Sequence, residues 1–371
     1  MYTEDRLLPW VDDLLARVGE VVPFDAHCHI GIADPAGLLA TADELLHSLD
    51  LVQGRALVFP LKEPEGYDEA NDAMLALAAA HPGRLAALAR LDPARDPTDA
   101  ARRALEGGAA GLKLHPRGEG FAIDDARLDD AFALADADRS LVMVHAGVGS
   151  PEIGEHALAR ARRHPGAQIV LAHAAIGAFE AVVPHAAEVP NLRFDTSWWN
   201  PADVLALLRL VPPTQVLMAS DVPFASPAEG IVLTGRLGLQ AGLRPEQLRG
   251  VLGGTLERLV AREEPEDLGP VDAAHAPLAP ELERVYVALC AAVESMQRGQ
   301  DGGQGLQLAR TACEQDHEDR DVLTSVAQLL DEAARQEDRD PLRSGRAPGH
   351  DLVLIAAVVA RTPRAGVPRV V

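Results

Sequence analysis

Lysine is nearly missing from this 371-residue chain, occurring only at Lys62 and Lys113 among 34 basic residues. Arginine has taken over the surface, so a lysine kept inside an apolar run, as Lys113 is, points to chemistry arginine cannot do. An amine can be neutralised or carboxylated; a guanidinium cannot. Aromatics make up only 4% of the chain, which leaves Ala, Val and Leu to fill the core. Three cysteines, Cys28, Cys290 and Cys313, exclude a disulfide framework and suit a reducing compartment, so a cytoplasmic protein is expected. The first residues carry no basic start followed by an apolar stretch, and no apolar run approaches 18 residues. Neither an export signal nor a membrane partner is expected. The formal charge of −22, with no basic stripe, argues against nucleic acid and for an acidic surface around a small-molecule site.

What the chain does have is alternation. Residues 4–18 carry helical periodicity, with Leu7, Val11 and Leu14 on one face. Short apolar strands follow at 22–29, 55–60, 84–91, 110–115, 140–146, 168–174, 192–197 and 215–221. Between them lie helical stretches near 35–50, 67–81, 97–107, 125–138, 152–164, 177–188 and 201–210, and a last one over 226–262 is broken near Arg244-Pro245. Eight strand-then-helix units imply an α/β fold, a (β/α)8 TIM barrel. An open doubly wound sheet would begin with a Gly-rich phosphate turn, where this chain has His27-Cys28-His29.

Past a charged, Pro- and Gly-marked linker at 263–270 the strands stop. Helices are expected at 279–297, 305–314, 319–336 and 350–361, and residues 361–369 read as a loose tail. The expected division is a barrel over 1–269 and a C-terminal all-helical extension over 270–371. The extension's apolar faces, Leu282, Val285 and Leu289 and then Val322, Val326, Leu329 and Leu330, must pack on the barrel, on each other or across a homodimer interface. Because the barrel has its eight units without it, truncation near Gly269 is expected to leave a folded barrel.

Five histidines and an aspartate end these apolar runs: His27, His29, His115, His145, His173 and Asp221. Alternate residues of a strand share a face, so His27 and His29 point together while Cys28 points away. The same rule pairs Lys113 with His115, Met143 with His145, Leu171 with His173 and Ala219 with Asp221. Each inward stripe then ends in a polar group at the C-terminal rim, where barrel active sites form. Imidazoles and a carboxylate gathered there are the donors a borderline divalent metal takes. Asp195 and Ser197 share a face on the seventh strand and either join the site or cap the strand end. Trp198 and Trp199 follow the seventh strand and either wall the substrate or cap the barrel rim, and Arg117, on the adjoining loop, is either a clamp for a substrate carboxylate or a solvated loop arginine. The histidines at 47, 81, 156, 164, 185, 275, 317 and 350 fall on helices or loops and read as surface residues.

This succession resembles the amidohydrolase superfamily, most closely its amidohydrolase-related (amidohydrolase 2) branch of single-metal hydrolases and non-oxidative decarboxylases. The motifs are His27-Cys28-His29, Gly111 to Pro116, His145-Ala146-Gly147, His173, Phe194 to Ser197, and Ser220 to Phe224, over residues 21 to about 262. Thr255 departs from the branch, which often has Asn there. The resemblance implies one divalent ion, zinc or alternatively manganese, on His27, His29, His145 and Asp221. It makes His173 the unligated catalytic imidazole and Asp221 a second catalytic group. Lys113, His115, Arg117, Trp198 and Trp199 are then the substrate-binding candidates, unless Lys113 is carboxylated and bridges two ions. The activity implied is metal-dependent hydrolysis of an amide, ester or lactone of a small carboxylate-bearing molecule. The alternatives are a decarboxylase of the same branch, a TatD-type deoxyribonuclease and a non-catalytic scaffold.

Overall fold

The structure is a computed structural model that describes residues 4–149, 152–271, 277–314, 317–336 and 346–368. Eight strands form one parallel sheet in sequence order: β1 Phe24–Ile30, β2 Arg55–Pro60, β3 Leu85–Arg90, β4 Gly111–Leu114, β5 Leu141–Val144, β6 Gln168–Leu171, β7 Leu192–Asp195 and β8 Val216–Leu217. The sheet curls until its ends meet. Ala26 N donates to Met218 O, Asp221 N to His27 O, and His29 N to Val222 O, each at 2.9 Å. The molecule is the expected TIM barrel with additional C-terminal helices.

Small aliphatic side chains and a few large ones fill the barrel, among them Phe24, Leu57, Phe59, Leu88, Met143, Val170 and Leu217. A bulge between Asp25 and Cys28 shifts the pairing of β1 with β2. An extra residue on one strand re-aims side chains. Ala26 and His27 therefore both serve the interior, while Cys28 and Ile30 pack in the outer layer as alternation required.

Helices fill the connections close to the expected bounds, and the departures have local causes. The stretch expected from 35 begins only at Ala42, because Asp34 and Gly37 (φ 78°) make a turn and Thr41 with Glu44 forms a capping box. Residues 177–188 break into Phe179–Val182 and a 3-10 segment, Val183–Glu188, since Pro184 cannot donate to the preceding turn. The last stretch divides into Pro227–Ala241, Pro245–Arg249 and Thr255–Val260, joined through Gly250–Gly254. A Cβ at Gly253 would lie 2.4 Å from Val22 O, so only glycine lets this segment seal the bottom of the barrel.

The four C-terminal helices are Pro280–Gln297, Gly303–Cys313, Arg320–Ala334 and His350–Arg361. The last is apolar on all sides and buried from Leu352 to Ala360. It lies between two neighbours in the module and the barrel helices Pro201–Leu210 and Pro227–Ala241. A helix hydrophobic all round must be covered all round. Leu282, Val285, Leu289, Val322, Val326, Leu329 and Leu330 are likewise buried within one chain, in a core continuous with the barrel's outer layer. They give no argument for a dimer.

Three expectations need correction. The tail is fastened: buried Arg236 donates from Nε to Thr362 Oγ1 at 3.0 Å and from Nη2 to Gly366 O at 2.9 Å. His164 and His350 are buried, not on the surface: His164 follows the helix Glu152–Arg163 and stacks on Phe132, and His350 opens a helix packed between the module and the barrel. His275 lies outside the described residues. Among the described residues, no helix is long and apolar enough to cross a membrane.

Candidate metal centre

Asp195 organises the rim. Its Oδ1 accepts from His173 N at 2.8 Å, Ser197 N at 3.0 Å and Ser197 Oγ at 2.5 Å. Its Oδ2 lies 2.8 Å from His27 Nδ1, with both side chains fully buried. A carboxylate only accepts, so His27 carries its proton on Nδ1 and turns the Nε2 lone pair inward. His29 is fixed in the same sense, with Nδ1 3.4 Å from Pro60 O. The two Nε2 atoms then face one another at 3.3 Å, and Asp221 Oδ1 stands 3.3 and 3.4 Å from them.

Two imidazole nitrogens and a carboxylate oxygen converge, and that oxygen, Asp221 Oδ1, is buried without a hydrogen-bond partner. These three residues form a group able to hold a metal ion. Burial pushes His27 and His29 well below the usual histidine range and Asp221 well above the usual carboxylate range. The site lacks a compensating charge, and a divalent cation among these donors would supply it. The donor set therefore fits the ion that the sequence implied.

His145 stands apart from that group. Its Nδ1 is 2.9 Å from His173 Nε2, and its ring stacks on His115 at 4.0 Å. His173 Nδ1 faces Ser197 O at 2.9 Å and must donate there, so its Nε2 accepts from His145 Nδ1. That leaves the His145 Nε2 lone pair free for a ligand.

His173 reaches the site by a route alternation did not foresee. Val170 is the inward residue of β6, while Leu171 packs in the outer layer. His173, Ala174 and Ala175 are all left-handed, at φ 59°, 54° and 52°, which swings the imidazole inward. Such residues cost roughly 1–2 kcal/mol each. Asp221 (φ 71°) shares the conformation, and backbone strain of this kind collects at functional sites.

Lys113 is buried in the barrel, its Nζ 3.4 Å from His27 Nε2 and 4.5 Å from the centre of the Phe59 ring. Burial brings its pKa down to about 7, so it is not the permanent cation of a lysine in water. His115 accepts from Gly118 N through Nδ1, at 2.9 Å. Arg117 is exposed and donates to Val148 O at 3.2 Å. Trp198 and Trp199 line a cavity beside the centre, with rings 5.3 Å apart, and Trp198 is steadied by Asp203.

Two supports went unread in the sequence. Asp25 Oδ1 accepts from His27 N and Ser220 N, both at 3.0 Å, joining the first and last strands beneath the ligands. Burial raises its pKa to about 6 even so. Arg90 forms a buried pair with Glu119 at 2.6 Å and shares Pro60 O with His29. The signal available for Arg90 was a charge closing an otherwise apolar strand.

The amidohydrolase family model matches residues 24–262. The chain belongs to that family of metal-dependent enzymes. Among solved structures it is similar to a 5-carboxyvanillate decarboxylase from Sphingomonas paucimobilis, at 18% identity and TM-score 0.52, covering 65% of this chain and 99% of that one. It is similar to a dihydroxybenzoic acid decarboxylase from Polaromonas with bound manganese, at 15% identity and TM-score 0.51, covering 65% and 97%. A probable 2-pyrone-4,6-dicarboxylic acid hydrolase from Acinetobacter baumannii aligns at 14% identity and TM-score 0.50, covering 64% and 99%. At these identities the likeness extends to the fold alone. No curated protein matches the chain.

Proposed function

We propose that the chain is a metal-dependent hydrolase of a small carboxylate-bearing amide, ester or lactone, with His27, His29, Asp221 and the free nitrogen of His145 as ligands. The observation that carries this is the meeting of two outward-anchored imidazoles and an unpartnered carboxylate oxygen within 3.4 Å. A divalent ion held there, zinc or manganese, supplies Lewis acidity and brings the pKa of a water down to about 7.

The chain's own residues do the rest. Asp221 commits Oδ1 to the centre and keeps Oδ2, 3.8 Å from His173 Nδ1, to take a proton from the attacking water. His173 is held by Asp195, Ser197 and His145, and its Nδ1 proton, shared with Ser197 O and on the side of Asp221, is the one it has to give to a developing negative charge or leaving group. Lys113 and His115 line the approach, Trp198 and Trp199 wall it, and Arg117 guards its outer edge.

Decarboxylation is the second reading, favoured by the several decarboxylases among the similar structures. The same donors would then hold an ion able to take a substrate carboxylate and its neighbouring oxygen, and His173 would deliver the proton. One experiment decides between them. Metal-loaded protein is screened against matched lactones and aromatic acids, following acid release by pH-stat and carbon dioxide release separately. Acid release without carbon dioxide is the expected result; carbon dioxide release would assign the lyase reaction.

A further inference from the structure

The cavity beside the metal centre is completed by a side chain from outside the barrel. Ser197 and Trp198 line it from the end of β7, Ser220 from beyond β8, Glu229 from the first turn of Pro227–Ala241, and Arg346 from the C-terminal module. Ser197 joins the cavity to the centre, its Oγ lying 3.3 Å from His27 Nδ1 and 3.1 Å from His173 Nδ1. Arg346 Nη1 donates to Phe224 O at 2.5 Å, three residues past Asp221, which locks the guanidinium to the rim. Its Nε is buried and has no partner among the described residues.

The obvious counter-ion does not neutralise it. Glu229 is only 3% exposed, and burial carries its carboxyl up to about 8, so it is uncharged at neutral pH. A guanidinium fixed to the rim with an unpartnered Nε, beside a neutral carboxyl, is complementary to a carboxylate. We propose that Arg346 binds a carboxylate of the substrate, remote from the reacting bond, and that the helical module exists in this chain to deliver it. This rests on the metal centre being the reaction site, and it moves substrate anchoring from Arg117, whose guanidinium already spans two loops.

The test uses full-length, metal-loaded protein and calorimetric titration with the straight-chain dicarboxylates from malonate to adipate, each against its monoamide. At least one diacid is expected to bind about tenfold more tightly than its monoamide, because only the diacid offers Arg346 a charged fork. Arg346→Met abolishes that preference with metal content unchanged, and Arg346→Lys keeps part of it. Arg335→Met, at an exposed arginine paired with Glu332, serves as the control that retains it in full. The proposal is overturned if no diacid is preferred, or if the preference survives Arg346→Met. Should Arg346→Met fail to fold, an unweakened preference in Arg346→Lys and in Arg346→Gln overturns it equally. A wild type that discriminates through Arg346 yet holds no metal would keep the carboxylate site and remove the metal reading.

Discussion

His27 Nδ1 and Asp195 Oδ2 meet at 2.8 Å across 168 residues of sequence, both fully buried. That bond decides which nitrogen of His27 faces the centre, and three further donors to Asp195 hold the carboxylate still. Asp195→Asn keeps the shape but loses the charge that stabilises the Nδ1 proton. We expect metal affinity to fall about 10- to 100-fold, the usual effect of removing such a support. Competition with a chromophoric chelator measures it, and an unchanged affinity would mean that Asp195 is only a strand-end cap.

The ligand set predicts stoichiometry. Full-length protein should hold about one equivalent of divalent metal, as four-donor sites of this kind do. His29→Asn and Asp221→Asn should each lose it. His145→Asn separates the geometric group of three from the full set of four, and retention of metal there would exclude His145. Close to two equivalents in the wild type would favour a carboxylated Lys113.

His173 is bonded to His145 and Ser197 and lies outside the group of three. His173→Asn should therefore keep the metal and lose at least about 100-fold in turnover, within the range of general acid–base groups. Elemental analysis beside steady-state kinetics gives both readouts. Loss of metal in this variant would make His173 a ligand.

Glu229 predicts a pH effect on stability. Its folded pKa of about 8 lies above its ordinary value of 4.5, with Arg346 opposing the rise and Asp351 and Glu4 adding to it. Between those limits the native state holds a proton that the unfolded chain releases, so stability falls as pH rises through the window. Glu229→Gln removes that slope. Its melting temperature should gain on the wild type's from pH 5 to pH 8, and a difference constant across pH would contradict the assignment.

The barrel was legible because period-two alternation and Ala/Leu-rich helices repeat eight times, and the rim was legible because polar residues ended apolar runs. The i, i+2 rule put His27 and His29 on one side of β1, but it does not reach Asp221, which lies past Val216–Leu217 with left-handed backbone (φ 71°). It failed at His173, where three left-handed residues reach inward by a backbone turn that no pattern marks. Asp25, Arg90 and Glu229 had no periodic signal, since a single polar residue in an apolar run gains meaning only from its partners. Arg346 and the burial of His350 depend on how the module docks, a contact between segments over 100 residues apart.

That docking also alters what truncation should do. Arg236 is 2% exposed in a barrel helix, and among the described residues its Nε and Nη2 donate to Thr362 and Gly366. The apolar helix His350–Arg361 covers Pro201–Leu210 and Pro227–Ala241. Ending the chain at Gly269 would bare those apolar faces, a known route to aggregation, and strip Arg236 of its protein acceptors. Where unit counting alone expects a folded 1–269 barrel, the docking therefore predicts an aggregating fragment. Expressing residues 270–371 as a second chain should restore solubility by covering the same faces. Light scattering on the fragment, alone and with its complement, measures both outcomes. A monomeric, metal-binding 1–269 fragment would instead establish the module as a separable domain, with Arg236 able to find water once uncovered.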